Sequence, residues 1–481
     1  MQSANPRRWT ALAVIALAQF MVIMDTSIIG VALPKIQTDV GFTPDSLSWV
    51  FNAYVIALGG LLLLGGRLSD LFGAKRVFSA GWAVLAVGSL GAGLANSVGL
   101  EIASRAVQGA GAALIAPSAL TLLMMLFGSN PKELMKAFSI YGAAAPAGGT
   151  AGVFLGGVIT EWASWPWVFY INVPIALLVL AVTPGLMPGA PARRGSIDIA
   201  GALTATAGLA LTVFGIVRAP QQGWASSTTL LVIAGGLASL IAFVAIQNRR
   251  REPLMRLSIL RTPNLAAANI AQLLLGAAWI PMWFFLNLYL QQVLGYGAFE
   301  GGAALLPMTV TIMVLMVVVA PRVIARFGPK TPIVAGMLLL GVGMVGLSLI
   351  RSHGSFAIDV LPASLVAAAG MALAFIPSLG TAISSAKPQE GGLASGIVNT
   401  SYQVGSALGL AVMTAVATSH GADQLGNAAA LTDGYSAAFL GAAAVAVLGG
   451  LLTAVLLRVP RAETPAEKAE EPAAALEPIA A

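Results

Sequence analysis

Apolar runs of about twenty residues, separated by short polar stretches, recur along the whole chain. Fourteen are counted, at about 10–34, 48–66, 77–95, 102–127, 137–159, 166–187, 198–218, 226–246, 265–290, 301–320, 331–350, 358–383, 394–418 and 435–457. A helix of roughly 20 predominantly apolar residues crosses the hydrocarbon core of a bilayer. A helix also satisfies its own backbone N–H and C=O groups there. The pattern predicts an all-α membrane protein with fourteen transmembrane helices and both termini on one side. The first run organises the rest, because it carries Asp25 well inside. A charge near the bilayer centre costs roughly 3 kcal/mol on insertion scales, so such a residue faces a bundle interior or a water-filled path. Burial also favours the neutral, protonated form. The alternative is a place near the rim, with Asp25 satisfied by Thr26, Ser27 or water.

Composition narrows the class. The chain has 481 residues, 58% hydrophobic and 9% charged, with mean hydropathy +0.87. Soluble domains carry roughly 25% charged residues, which excludes a globular cytosolic enzyme. With no cysteine, no disulfide or thiolate site is possible. The two histidines, His353 and His420, stand near the ends of apolar runs, and no nucleophile, base or metal constellation argues for an enzyme. Arg7 and Arg8 before the first run suggest a signal sequence, but the run continues to Leu33, so a retained signal-anchor is expected.

The net charge of +6 is explained by topology. With a cytoplasmic N-terminus, only Lys35, Arg218 and Arg351 fall outside and Arg105 falls within a helix; the other 21 of the 25 basic residues fall inside. This is the positive-inside pattern, so no nucleic-acid partner is needed.

The chain also repeats. Arg67-Leu68-Ser69-Asp70-Leu71-Phe72-Gly73-Ala74-Lys75 is echoed 255 residues later by Arg322-Val323-Ile324-Ala325-Arg326-Phe327-Gly328-Pro329-Lys330, and Ala116-Pro117-Ser118 is echoed 260 later by Ile376-Pro377-Ser378. Two echoes at nearly equal offset predict paired six-helix halves. The expected division is an N-terminal bundle over 1–187, then a linker, an inserted helix pair and a basic loop over 188–264. A C-terminal bundle over 265–457 and a disordered cytoplasmic tail over 458–481 complete it. The basic stretch 247–263 reads as an interfacial helix on anionic lipid.

Four motifs resemble the major facilitator superfamily, specifically its fourteen-helix drug/proton antiporters of the QacA and EmrB type, over essentially the whole chain apart from the tail. Met24-Asp25-Thr26-Ser27-Ile28-Ile29-Gly30-Val31-Ala32-Leu33-Pro34 is similar to the family's first-helix motif, which makes Asp25 the candidate proton site. Gly66, Asp70, Gly73, Lys75 and Arg76 match the cytoplasmic loop motif, with Leu71 and Ala74 where basic residues are usual. There, Asp70 is expected to latch one state by pairing with a base or capping a neighbouring helix. Arg105-Ala106-Val107-Gln108-Gly109-Ala110-Gly111 resembles the fourth-helix motif, in which the arginine is linked to proton transfer. An ion pair of Arg105 with Glu101, one turn earlier, is the other reading. In the fifth run Gly142, Ala145, Gly149, Gly152 and Gly156 share a helical face suited to close packing, and the family places its antiporter motif here. Pro146 with Gly148-Gly149 replaces the usual glycine-proline core. Ser164-Trp165-Pro166-Trp167-Val168-Phe169-Tyr170-Ile171-Asn172-Val173-Pro174 also fits, with Pro166 in place of an arginine.

A binding pocket is expected from helical spacing. Asn269, Gln272, Gly276, Trp279, Trp283 and Asn287 fall within roughly 80° of arc, with a kink expected at Pro281. Asn399, Gln403 and Ser406 on the thirteenth run, with Trp49 and Asn52 on the second, complete the candidate lining. Tryptophans beside amides suit lipophilic or cationic small molecules. An interfacial belt for the tryptophans and interhelical hydrogen bonding for the amides are the other readings. The expected function is proton-coupled multidrug or antibiotic efflux across the bacterial cytoplasmic membrane by a monomer, with protons and lipid as partners and no cofactor beyond the proton gradient. A facilitator or importer on the same fold, or a non-transporting scaffold or receptor, is the alternative.

Overall fold

A computed structural model describes residues 7–189, 198–262, 264–386 and 391–458. Among them, fourteen helices are long and apolar enough to cross a membrane: α1 (Arg8–Val40), α2 (Ser46–Phe72), α3 (Ala74–Gly93), α4 (Val98–Phe127), α5 (Lys136–Trp162), α6 (Trp167–Leu186), α7 (Ile199–Gln222), α8 (Ser227–Arg249), α9 (Leu265–Val293), α10 (Ala298–Phe327), α11 (Lys330–Leu347), α12 (Phe356–Ser385), α13 (Ala394–Ala422) and α14 (Ala428–Leu456). The described residues contain no strand. The helices match the fourteen apolar runs in order and outlast most of them at the ends, where the backbone keeps its hydrogen bonds beyond the apolar stretch.

The loop expected after α2 shrinks to one residue. Gly66 to Phe72 lie on the last turns of α2, and Gly73, at φ +88°, turns the chain directly into α3. Gly328, 255 residues on, holds φ +70° between α10 and α11. Left-handed backbone of this kind favours glycine. Ser118 and Ser378 likewise donate to the carbonyls four and three residues back, at 2.6 and 3.0 Å respectively in both cases. Gly81 and Gly111 seat α3 against α4, and Gly336 and Gly370 seat α11 against α12 in the same way.

α7 packs beside both α2 and α13, with Gly60 against Thr206, and α8 packs on α7. Asp198 fastens the pair: it accepts from Gln247 at 2.6 Å, pairs with Arg250 at 3.0 Å and caps α7 through the Gly201 N–H. The interfacial helix expected over 247–263 is not formed. α8 ends at Arg249, the chain is irregular around Pro253, and only Leu257–Arg261 makes a 3₁₀ turn. Proline removes a helical hydrogen bond, and Leu254 and Ile259 are buried, which folds this stretch back onto the bundle. Most of the 188–197 linker and the tail beyond Arg458 lie outside the described residues.

At the end of the bundle away from the termini, the first and last six helices are sewn together. Gln291 donates to the Val31 carbonyl at 3.0 Å, Gln292 to Gln37 at 2.8 Å, and Tyr435 to Gln292 at 2.6 Å. Glu161 accepts the Ala298 N–H at 3.0 Å, and Gly157 packs on Ala298 and Phe299. α9 runs as helix through Pro281, and its irregular turn lies later, a π-helical stretch over Tyr289–Val293 that brings Gln291 and Gln292 to α1.

Candidate functional site

Small residues set the position of α1. Gly148, Gly152 and Gly156, four residues apart on α5, admit the backbone of α1 at Phe20, Met24 and Ile28. This differs from the expected face: Gly142 has open space around it, Gly149 is only in ordinary van der Waals reach of Ile23 and Ser27, and the Pro146 carbonyl accepts the Thr150 hydroxyl. On the other side, Gly109 lets α4 meet the backbone of α2 at Tyr54, and Gly88 lets α3 meet Gln108. These contacts turn Asp25 of α1 toward α4 and α6.

Asp25 is 1% exposed and Arg105 is fully buried. They form an ion pair, Arg105 Nη1 to Asp25 Oδ2, at 2.7 Å. The other carboxylate oxygen accepts from Asn172 Nδ2 at 2.7 Å and from Gln108 Nε2 at 3.3 Å. Arg105 is itself held in place: Nε donates to the Val50 carbonyl at 2.9 Å, Nη1 to Gln108 Oε1 at 2.6 Å, and the guanidinium lies 4.5 Å from the Tyr54 ring centre and 5.8 Å from that of Phe169. Gln108 is fixed in turn by Ser89, at 2.8 Å. A buried charge pair is tolerated only with such added hydrogen bonds and close geometry. The rim position for Asp25 and the Glu101 pair for Arg105 are therefore not what is found. Gln108 lies within the fourth-helix motif and Asn172 within the 164–174 stretch, but nothing in their spacing marks them as carboxylate donors.

The loop motif is only partly engaged. Lys75 donates to the Pro184 carbonyl at 2.7 Å at the end of α6, where a cation is favourable. Asp70 and Arg76 are exposed. Asp70 has no hydrogen-bond or ion-pair partner among the described residues, so the expected latch is not made in this state.

The expected pocket lining divides. Asn269 accepts from Ser401 at 2.8 Å, and Gln272 donates to the Phe375 carbonyl and to Ser378, so these amides join α9 to α13 and α12. Asn399 donates to the Ser395 carbonyl within its own helix. Trp49 is half-buried, with its ring 6.2 Å from that of Phe214 on α7. Trp279 and Trp283 are buried, and Trp283 and Asn287 lie against Gly30 of α1, across the two halves. Gln403 packs on Gly59, which joins α13 to α2. Asn52 is fully buried with neither amide atom bonded among the described residues.

A family model for the Major Facilitator Superfamily matches residues 15–410. The chain belongs to the Major Facilitator Superfamily. Its relatives in that superfamily include a cephamycin export protein of Amycolatopsis lactamdurans, 39% identical over 95% of this chain and 94% of that one. A puromycin resistance protein of Streptomyces alboniger is 35% identical over 95% and 92%. A tetracenomycin C resistance and export protein of Streptomyces glaucescens is 34% identical over 85% and 75%. Among solved structures, the POT family transporter PepTSo matches with a TM-score of 0.70 at 16% identity, covering 94% of this chain and 98% of that one, and so shares the fold. The resemblance drawn from the motifs is borne out. This Major Facilitator Superfamily member is a multi-pass membrane protein and not an enzyme.

Proposed function

We propose that the protein exports a small antibiotic-like molecule from the cytoplasm in exchange for protons, by alternating access, with Asp25 as the proton site. The relatives named for antibiotic export and resistance support the direction and the substrate class. The observation that carries the coupling is the buried Asp25–Arg105 pair. Ionised, Asp25 ties α1 to α4 and α6 through Arg105, Gln108 and Asn172. A proton on Asp25 cancels its charge and weakens the bond to Arg105, which frees α1 to move against α4. With the termini cytoplasmic, the sewn end of the bundle is the outer one, and the state described is closed to the outside. Trp283 and Asn287, placed where α9 crosses α1, are the lining residues best positioned to feel both substrate and that movement. One proton moving down 100 mV releases about 2.3 kcal/mol, equivalent to a roughly fifty-fold substrate gradient.

The test uses inverted membrane vesicles holding a respiration-driven pH gradient, with the unmodified protein or Asp25→Asn at equal abundance. A substrate from a panel of antibiotics and lipophilic cations should dissipate the gradient with the former only. Equal dissipation by both proteins would remove Asp25 from the coupling.

A further inference from the structure

Glu101 is a carboxylic acid the proposed cycle has not used. It lies on α4 one turn before Arg105, is fully buried, and neither of its oxygens has a hydrogen-bond partner among the described residues. One nitrogen of Arg105, Nη2, is also without a partner there. Residues four apart on a helix are neighbours, with Cβ atoms about 5–6 Å apart. A rotation of side chains alone is therefore enough to bring Glu101 to Arg105. The charged groups that reach Glu101 are Arg105 on its own helix and Asp25 from α1. One cation thus serves two buried carboxyl groups. An ionised carboxylate left buried without a partner costs several kcal/mol, so only one of the two acids is charged at a time.

We propose that Glu101 is a second proton-binding group, and that Arg105 exchanges partners between Asp25 and Glu101 as a proton passes from one acid to the other. In the state described, Asp25 is the carboxylate paired with Arg105 and Glu101 is the neutral acid. In the exchanged state the Glu101 O–H bond is broken, the proton resides on Asp25, and the Glu101 carboxylate takes Arg105; the total charge is unchanged. Asp25 is released from α4 without the site acquiring or losing a charge. Being nearer the sewn end, Glu101 stands between Asp25 and the outer face from which protons enter. This deepens the reading of Asp25 as the proton site and rests on it for its role in transport.

The test is infrared difference spectroscopy of the purified full-length protein in lipid at neutral pH, reading the carbonyl stretch of protonated carboxylic acids. The unmodified protein should show an acid band that Glu101→Gln removes. Asp25→Asn should remove the same band, because Arg105, left without its carboxylate, draws the proton off Glu101. In Arg105→Met the Glu101 band should persist, since no cation is left to stabilise the charge. Glutamine and asparagine are close in shape to the neutral acids, so these variants retain the packing. A spectrum unchanged by Glu101→Gln, or a Glu101 band that survives Asp25→Asn, would overturn the proposal. No substrate enters the measurement, so a failure of the vesicle test for export leaves its outcome readable.

Discussion

Removing Arg105 and Asp25 singly and together gives the sharpest energetic test of the site. In Arg105→Met the carboxylate of Asp25 loses its cation, and Val50 loses the donor to its carbonyl. In Asp25→Asn the guanidinium loses its anion but keeps Val50, Gln108 and the Tyr54 ring. Breaking a buried pair from either side costs about 3–5 kcal/mol, whereas replacing both charges with neutral groups of similar volume is often close to neutral. If the effects were independent, the double variant would lose roughly 6–10 kcal/mol, yet a neutral pair is expected to lose about 1–2 kcal/mol, mainly from lost hydrogen bonds. The coupling should then exceed about 4 kcal/mol. Glu101 changes one corner of the cycle. By pairing with Arg105 it softens the Asp25→Asn penalty, so that penalty should grow in a Glu101→Gln background. Denaturation of the four proteins in a single detergent, followed by tryptophan fluorescence, supplies the cycle. Additive losses, with the double variant the least stable, would refute the claim that the pair is energetically coupled.

Two further outcomes follow from packing and from the sewn end. Gly152→Ala should destabilise the protein by about 1–3 kcal/mol, because a Cβ there meets the Met24 carbonyl and Ser27. Gly142→Ala, with open space around it, should be neutral or stabilising, because alanine is the better helix former by about 1 kcal/mol; thermal unfolding separates the two. Gln292→Ala removes the bond to Gln37 across the halves, at about 1 kcal/mol or roughly fivefold in population, along with the bond from Tyr435 inside the C-terminal half. In this cysteine-free chain, a single Asn287→Cys should then react faster with an impermeant maleimide added from outside, and an unchanged rate would remove Gln292 from the outer closure.

The fold was readable because a membrane imposes one local rule on every span, and fourteen apolar runs obey it. The site was less so. Asp25 and Arg105 announce themselves because a charge in an apolar run has to be answered, but their partners do not. Asn172 is one amide among several, and its choice of Asp25 depends on how α6 meets α1. The glycine face on α5 shows the same limit. Gly149 and Gly148 are adjacent, and only the crossing of α1 selects Gly148, Gly152 and Gly156 as the contact. The amides of α9 look like a cavity stripe by angle alone, yet a helix that touches α13, α12 and α1 along its length gives one face several neighbours.

What the two halves share and what they do not share separates architecture from chemistry. The glycines that seat α3 on α4 recur in α11 and α12, as do the positive-φ turn at Gly73 and the serine hydrogen bonds at Ser118. The Asp25–Arg105 pair does not recur. At the offset of the turn glycines Asp25 corresponds to Ile280, and at the offset from Gly111 to Gly370 Arg105 corresponds to Ser364, which bonds only to the Leu361 carbonyl of its own helix. Close helix packing is demanded equally of both halves by a lipid environment that gives helices no hydrophobic reason to associate. A buried charge is demanded of neither, and its energetic cost argues against keeping one without a use. Asp25, Arg105 and Glu101 therefore stand on one side of a symmetric scaffold, so in the proposed cycle a proton moving between Asp25 and Glu101 acts on one half and not on both alike.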